Sequence, residues 1–209
     1  MILDIVGEDH PLLRQKLKPF DFNNPPCDPV ELANNLIETM YHNKGIGLAA
    51  NQCGLPYRVF ALWSQDPIVC FNPRVVDTTT EYVQLEEGCL TYPHMFLKIK
   101  RPKIIKVRFN NCFGDIFTDK FIGMTARVFQ HELDHLNGIN FLSKSNPIHV
   151  QRARNQQKQM MRMIKRGEVT IAGPNEADAY AQQHQIVESS KREVANKPGG
   201  NKHDKKVQV

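Results

Sequence analysis
The sequence has no apolar run long enough to cross a bilayer as a helix, which takes about 20 residues. Its longest apolar stretches, such as Val59 to Trp63, fall far short. It also lacks the marks of a secretory signal. The opening residues MILDIVGEDH place acids early, with no basic cluster before an apolar segment. No organellar transit peptide is evident either, so a cytoplasmic protein of bacterial or phage origin is expected, with no membrane partner. Cysteine is sparse: Cys27, Cys53, Cys70, Cys89 and Cys112. The number is odd and no C-x-x-C pair occurs, which argues against a disulfide framework and fits a reducing compartment. Internal repeats are absent.

What is present suits one domain with extensions. The chain has 209 residues, of which 41% are hydrophobic, enough for a real core. Acidic residues are missing from one segment. Between Lys144 and Arg166 stand seven basic side chains and no acid, and removing them from the net charge of +5 leaves −2. The body is therefore slightly acidic, and the basicity sits in a late appendage.

Asp28-Pro29 reads as an N-cap followed by Pro at the first helical position. Leu32, Ala33, Leu36, Ile37, Met40 and Tyr41 then recur at helical spacing, so a helix is expected over 29–44. Val59–Trp63, Ile68–Phe71, Val75–Val83, Ile104–Phe109 and Ile116–Phe121 read as short strands, with a hairpin connection at 110–115. A second helix is expected over 125–137, stopping at Gly138. A third, weakly apolar one opens at Asn146-Pro147 and runs to 166, with Val150, Ala153, Met160 and Ile164 as its stripe. The polar stretch 167–209 ends in NKPGGNKHDKKVQV and is expected to be largely disordered. The domain division expected is thus 1–146, 147–166 and 167–209.

The most informative pattern is Gln130-His131-Glu132-Leu133-Asp134-His135-Leu136-Asn137-Gly138. Histidines four apart share one face of a helix, so both imidazoles can reach one metal ion. Glu132 adjoins the first ligand, where its carboxylate can act on a water. A catalytic site of this kind usually takes a third protein ligand. A third His is ruled out, because the position that would carry it is Phe141. Glu168 and Glu176 are downstream candidates in a polar segment. Cys89, in Glu86-Glu87-Gly88-Cys89-Leu90-Thr91, offers a thiolate that suits zinc or iron(II). Taken alone it reads more simply as a small buried hydrophobe. Gly45-Ile46-Gly47-Leu48-Ala49-Ala50-Asn51-Gln52 permits close backbone approach and ends on an amide. It follows a helix and lacks Lys-Ser/Thr, so it is not a phosphate loop.

Together the three segments resemble the peptide deformylase family, which is marked by G-φ-G-φ-A-A-x-Q, E-G-C-L and Q-H-E-x-D-H-L-x-G in that order. The resemblance covers roughly residues 5–145, and Thr91 stands where Ser is more usual. It implies removal of the formyl group from N-terminal formyl-methionine of new polypeptides, releasing formate. It implies that Cys89, His131 and His135 hold one divalent ion. Fe²⁺ is the physiological ion it suggests, with Zn²⁺, Ni²⁺ or Co²⁺ also able to bind. It makes Glu132 the acid–base group, and Gln52 and the Leu90 backbone N–H the oxyanion donors. Gly45 and Gly47 would wall the substrate pocket, and the backbone at Gly88 would pair with an extended peptide. Ile46 and Val128 are candidate contacts for the methionine side chain, although core packing is their plainer reading.

Asp134 and Arg101 are candidates to support the ligands, although Asp134 reads equally well as a solvated helix charge. His10, His42, His94, His149, His184 and His203 have no partner at ligand spacing. An H-E-x-x-H endopeptidase is the rival enzyme, requiring Glu168 or Glu176 as a ligand, and a binding module with a decayed site is the other alternative. The basic helix 147–166 is a candidate contact for the ribosome or rRNA, against the plainer reading of a loosely packed, solvated helix. A monomer is expected. The fold expected is α+β: short, mostly antiparallel strands around a central helix carrying His131, Glu132 and His135, plus the extra C-terminal helix.

Overall fold
The computed structural model describes residues 1–63 and 67–169. Most of the tail expected from residue 167, with Glu176, His184 and His203, lies outside the described residues. Helix α1 spans Pro29–His42. Asp28 caps it, its carboxylate accepting from the Val30 N–H at 2.8 Å and the Glu31 N–H at 3.1 Å. It ends two residues earlier than its apolar spacing suggests, because Lys44 turns to φ +56°. Helix α2 spans Gly123–Leu136, starting two residues before the expected position. Gly123 at φ +61° makes the sharp entry to it. Gly138 follows its end, where a Cβ would meet the Arg14 and Gln15 backbone at 2.7–2.8 Å. Helix α3 spans Pro147–Lys165.

Strands β1 (Gly47–Ala49), β2 (Val59–Leu62), β3 (Ile68–Thr78), β6 (Ile104–Asn110) and β7 (Ile116–Ile122) form one antiparallel sheet in the order β1-β2-β3-β6-β7. The hairpin at 110–115 joins β6 and β7, with the Asn111 N–H donating to the Asp115 carbonyl. Strands β4 (Tyr82–Cys89) and β5 (Tyr92–Pro102) pair as a separate antiparallel hairpin. The sequence differs from the structure here in three ways. The expected strands 68–71 and 75–83 are redrawn: β3 runs without a break from Ile68 to Thr78, and β4 begins separately at Tyr82. Strand β5 lies outside the expected strands, since its continuous apolar run is only Met95–Leu97. Its signal is alternation: Met95, Leu97 and Ile99 are buried while Phe96, Lys98 and Lys100 face out. Strand β1 is only three residues long and hides within the small-residue segment.

Helix α2 lies between these layers. Its Ala126, Val128, Phe129 and Leu136 join Phe60, Leu62, Ile105, Val107 and Phe121 in the main core. The Phe129 ring meets Phe60 edge-on at 5.1 Å and Phe121 at 5.5 Å. A second cluster under α1 gathers Leu32, Leu36, Met40, Leu48, Val59 and Phe71. A third joins β5 to Phe141 and α3. The other face of α2 turns toward the β4–β5 hairpin. This places a helix rich in polar groups against a strand end, and the chemistry collects there.

Candidate metal centre
Helical spacing brings the His131 and His135 rings to 5.0 Å between centroids. The third participant comes from the hairpin. The register slips between Glu87 and Cys89, a bulge at Gly88 that re-aims the cysteine. Cys89 Sγ then lies 3.3 Å from His135 Nε2. The ligand atoms of Cys89, His131 and His135 all fall within 4.8 Å of one another, the one such cluster among the described residues. Glu168 does not join them; it pairs with Arg166 at 3.2 Å on the surface. Phe141 packs its ring 5.7 Å from His131 as an apolar wall.

The donor set fits a divalent cation chemically. Burial by itself pushes the Cys89 thiol up, but His135 and His131 outweigh it and hold the thiol well below its usual range. Sulfur is thereby kept as the thiolate that binds metals. Burial pulls the His131 imidazole down, yet its bonds to Cys89 and Glu87 raise it to about 10, so a cation that binds there must displace a ring proton. Glu87 Oε2 lies 3.0 Å from His131 Nδ1, which leaves the other ring nitrogen for a ligand bond.

Glu87 is the hub of the supporting layer. Arg101 Nε and Nη2 donate to its two oxygens at 2.6 and 2.8 Å, and Arg127 Nη1 donates at 2.8 Å. Arg101 Nη1 also reaches Asp134 Oδ2 at 2.7 Å, so Asp134 is buried and paired rather than solvated. Glu87 and Arg127 were not anticipated as supports. Arg127 stands four residues before His131, hence on the ligand face of α2, and that spacing was the available signal.

Glu132 is 3% exposed, and its Oε2 bonds to no described residue. Burial is the largest influence on it and raises its carboxyl to about 7. A buried carboxylate oxygen without a partner is costly unless a water or a substrate proton meets it. Gln52 is oriented from behind. Its Oε1 accepts from the Ala49 N–H at 2.9 Å, while Nε2 donates to Thr91 Oγ1 at 3.2 Å and to Cys89 Sγ at 3.5 Å. Gly45 and Gly47 form a close wall. A Cβ at Gly45 would meet Leu90 Cδ1 at 2.7 Å, and one at Gly47 would collide with Glu132 Oε1 and meet Val128 Cγ1 at 2.6 Å. Ile46 is half-buried against the main core. A Cβ at Gly88 would meet the Phe96 ring at 2.9 Å. His10 serves elsewhere, its Nδ1 accepting from the Leu12 N–H.

A thiolate, two imidazoles and a buried carboxylate brought to one point are the parts of a metal-dependent hydrolase. The family model for polypeptide deformylase matches residues 2–151. The peptide deformylase of Thermotoga neapolitana is 40% identical over 139 residues, covering 66% of this chain and 83% of that protein. The crystal structure of the Thermotoga maritima peptide deformylase superposes with a TM-score of 0.65 at 38% identity, over 70% of this chain and 99% of that one. A Legionella pneumophila peptide deformylase gives 0.70 at 30%, over 79% and 99%. The chain belongs to the peptide deformylase family. It is an enzyme that removes the N-terminal formyl group from newly made polypeptides, and it depends on a metal. Among the described residues, no helix is long and apolar enough to cross a membrane.

Proposed function
We propose that Cys89, His131 and His135 hold the ion, that Glu132 moves the proton, and that Gln52 and Leu90 steady the developing charge. The observation carrying this reading is Glu132 Oε2, a buried and unpartnered carboxylate oxygen beside three converging ligand atoms. A divalent ion held there supplies Lewis acidity, making water nucleophilic near neutral pH and polarising a carbonyl. Glu132 accepts the proton from the water that attacks the formyl carbon. It then delivers a proton to the amide nitrogen as the C–N bond breaks, giving formate and a free amine. A carboxyl raised by burial suits both duties. Gln52 Nε2 and the Leu90 backbone N–H donate to the formyl oxygen as it gains charge, and the amide of Gln52 is already held in place. The wall at Gly45 and Gly47 admits a formyl group and excludes bulkier acyl groups, with Ile46 and Val128 beside the methionine side chain. The backbone at Gly88 pairs with the extended substrate.

Fe²⁺ is the ion proposed for the cell, and Zn²⁺, Ni²⁺ and Co²⁺ suit the same donors. The catalytic unit is 1–146, acting as a cytoplasmic monomer, with the basic helix offered to the ribosome or rRNA. The test of the site is formate release from a formyl-Met peptide by anaerobically prepared, Fe²⁺- or Ni²⁺-loaded protein. Glu132→Gln should lower kcat by at least ~10² while the protein keeps its ion. Cys89→Ala should lose the ion on dialysis. A Glu132→Gln protein close to wild-type rate would sink the assignment of Glu132.

A further inference from the structure
We propose that Asn51 is a positioning residue for deformylation, setting where the Gln52 amide stands relative to the turn of α2 that carries His135. The inference rests on the reading of Gln52 as an oxyanion donor.

Asn51 is fully buried. Its Nδ2 donates to the His135 carbonyl at 2.7 Å and to the Leu12 carbonyl at 3.2 Å. The His135 carbonyl lies in the last turn of α2, where backbone oxygens lack partners farther along the helix. The Gly138 N–H also reaches it, at 3.1 Å. The Asn51 amide adds a shorter bond to that oxygen from outside the helix, and this bond fixes where the turn sits. Asn51 and Gln52 share one short 3-10 turn, Ala50–Cys53. That turn is tied to the N-terminal segment by the Val6 N–H donating to the Gln52 carbonyl at 2.8 Å. It is tied to β1 by the Ala49 N–H donating to Gln52 Oε1. Asn51 supplies its bond to α2.

The groups so joined meet at one atom. Gln52 Nε2 is 3.5 Å from Cys89 Sγ, and His135 Nε2 is 3.3 Å from the same sulfur. A slide of the turn along α2 changes the distance from the Gln52 donor to the ligands. Oxyanion donors act over a narrow range, about 2.7–3.1 Å from the developing charge. A misplacement of about 1 Å is enough to cost ~10² in rate. A purely space-filling residue at position 51 has no such leverage, because its loss is not felt specifically through Gln52.

The test is a double-mutant cycle on metal-loaded protein, following formate release from a formyl-Met peptide. Asn51→Ala should lower kcat by roughly 10-fold with KM within about twofold, and its effect in a Gln52→Ala background should shrink to under about threefold. It should unfold cooperatively and keep its ion on dialysis. If Asn51→Ala does not fold, Asn51→Ser, which retains a shorter donor, takes its place in the same cycle. Equal proportional losses in both backgrounds would overturn the inference alone. So would an Asn51→Ala protein that sheds its ion, since the effect would then lie in metal retention. A Gln52→Ala protein with undiminished kcat would remove the reading of Gln52, and the inference with it.

Discussion
Gly47 has no side chain where Glu132 needs room. A Cβ there would collide with Glu132 Oε1 and press on Val128. Val128 is fixed in the main core, so the Glu132 carboxylate, at the end of the longer and more flexible side chain, is the group that must give way. Gly47→Ala should therefore displace the carboxylate rather than unfold the protein. The expected outcome is a kcat lower by about 10², with a stability loss near the 1–3 kcal/mol of an overpacked core. Formate release and thermal denaturation on the same sample check it, and a variant with wild-type kcat would show that Glu132 has slack. At this scale the sequence displays which residues are small and which are polar. It does not display why. The glycines read as permission for close approach, but what approaches is a carboxylate 85 residues away, and only the packing of α2 on β1 reveals it. The orientation of Gln52 is similar, because its fixed oxygen and directed nitrogen depend on Ala49 and Thr91 together.

Secondary structure elements were legible to the degree that their signals are local. Asp28-Pro29 and a clean apolar period mark α1, and the H-E-x-x-H spacing places α2 and its ligand face. The β4–β5 hairpin is less visible because one of its faces is solvated, and its bulge is a property of pairing. The same pairing hides the role of Glu87. In sequence it is one of two adjacent acids; in the fold it is buried beneath Arg101, Arg127 and His131, joining the hairpin to α2. Truncating Glu87 leaves two buried guanidiniums short of a carboxylate. Breaking a buried pair in this way costs about 3–5 kcal/mol, which for a domain of this size lowers Tm by roughly 10 °C. Glu87→Ala should show that drop in a thermal melt and should also bind its ion less tightly, because the His131 ring loses its anchor. A variant melting within a degree or two of wild type would mean that Asp134 and backbone carbonyls suffice for both arginines.

For the molecule as a whole, α3 stands apart from the candidate metal cluster, and its own packing shows what holds it. Its weak apolar stripe suggested a loose appendage, and the structure describes a docked one. Ala153 is buried against the cluster of Tyr92, Met95, Leu97, Ile99 and Phe141. The Arg154 guanidinium lies 5.3 Å over the Tyr92 ring and pairs with Glu8. Gln157 Nε2 donates to the Pro93 carbonyl at 2.8 Å. The Arg154 and Gln157 anchors are polar and long-range, so an apolar count underrates how firmly the helix is held. They hold one face of the helix and leave Arg152, Lys158 and Arg162 exposed on the others. A cationic surface mounted in this way suits a phosphate-rich partner, whose binding weakens as salt rises. Reversing Arg152, Lys158 and Arg162 to Glu together spares Ala153, Arg154 and Gln157, so Tm and kcat on a formyl-Met peptide should stay close to wild type. Co-sedimentation with ribosomes at low salt should be lost in the variant. In the wild type it should fall steeply between about 50 and 200 mM salt. Undiminished, salt-insensitive co-sedimentation of the variant would show that the basic face of α3 is solvated surface and that any ribosome contact runs through the catalytic body.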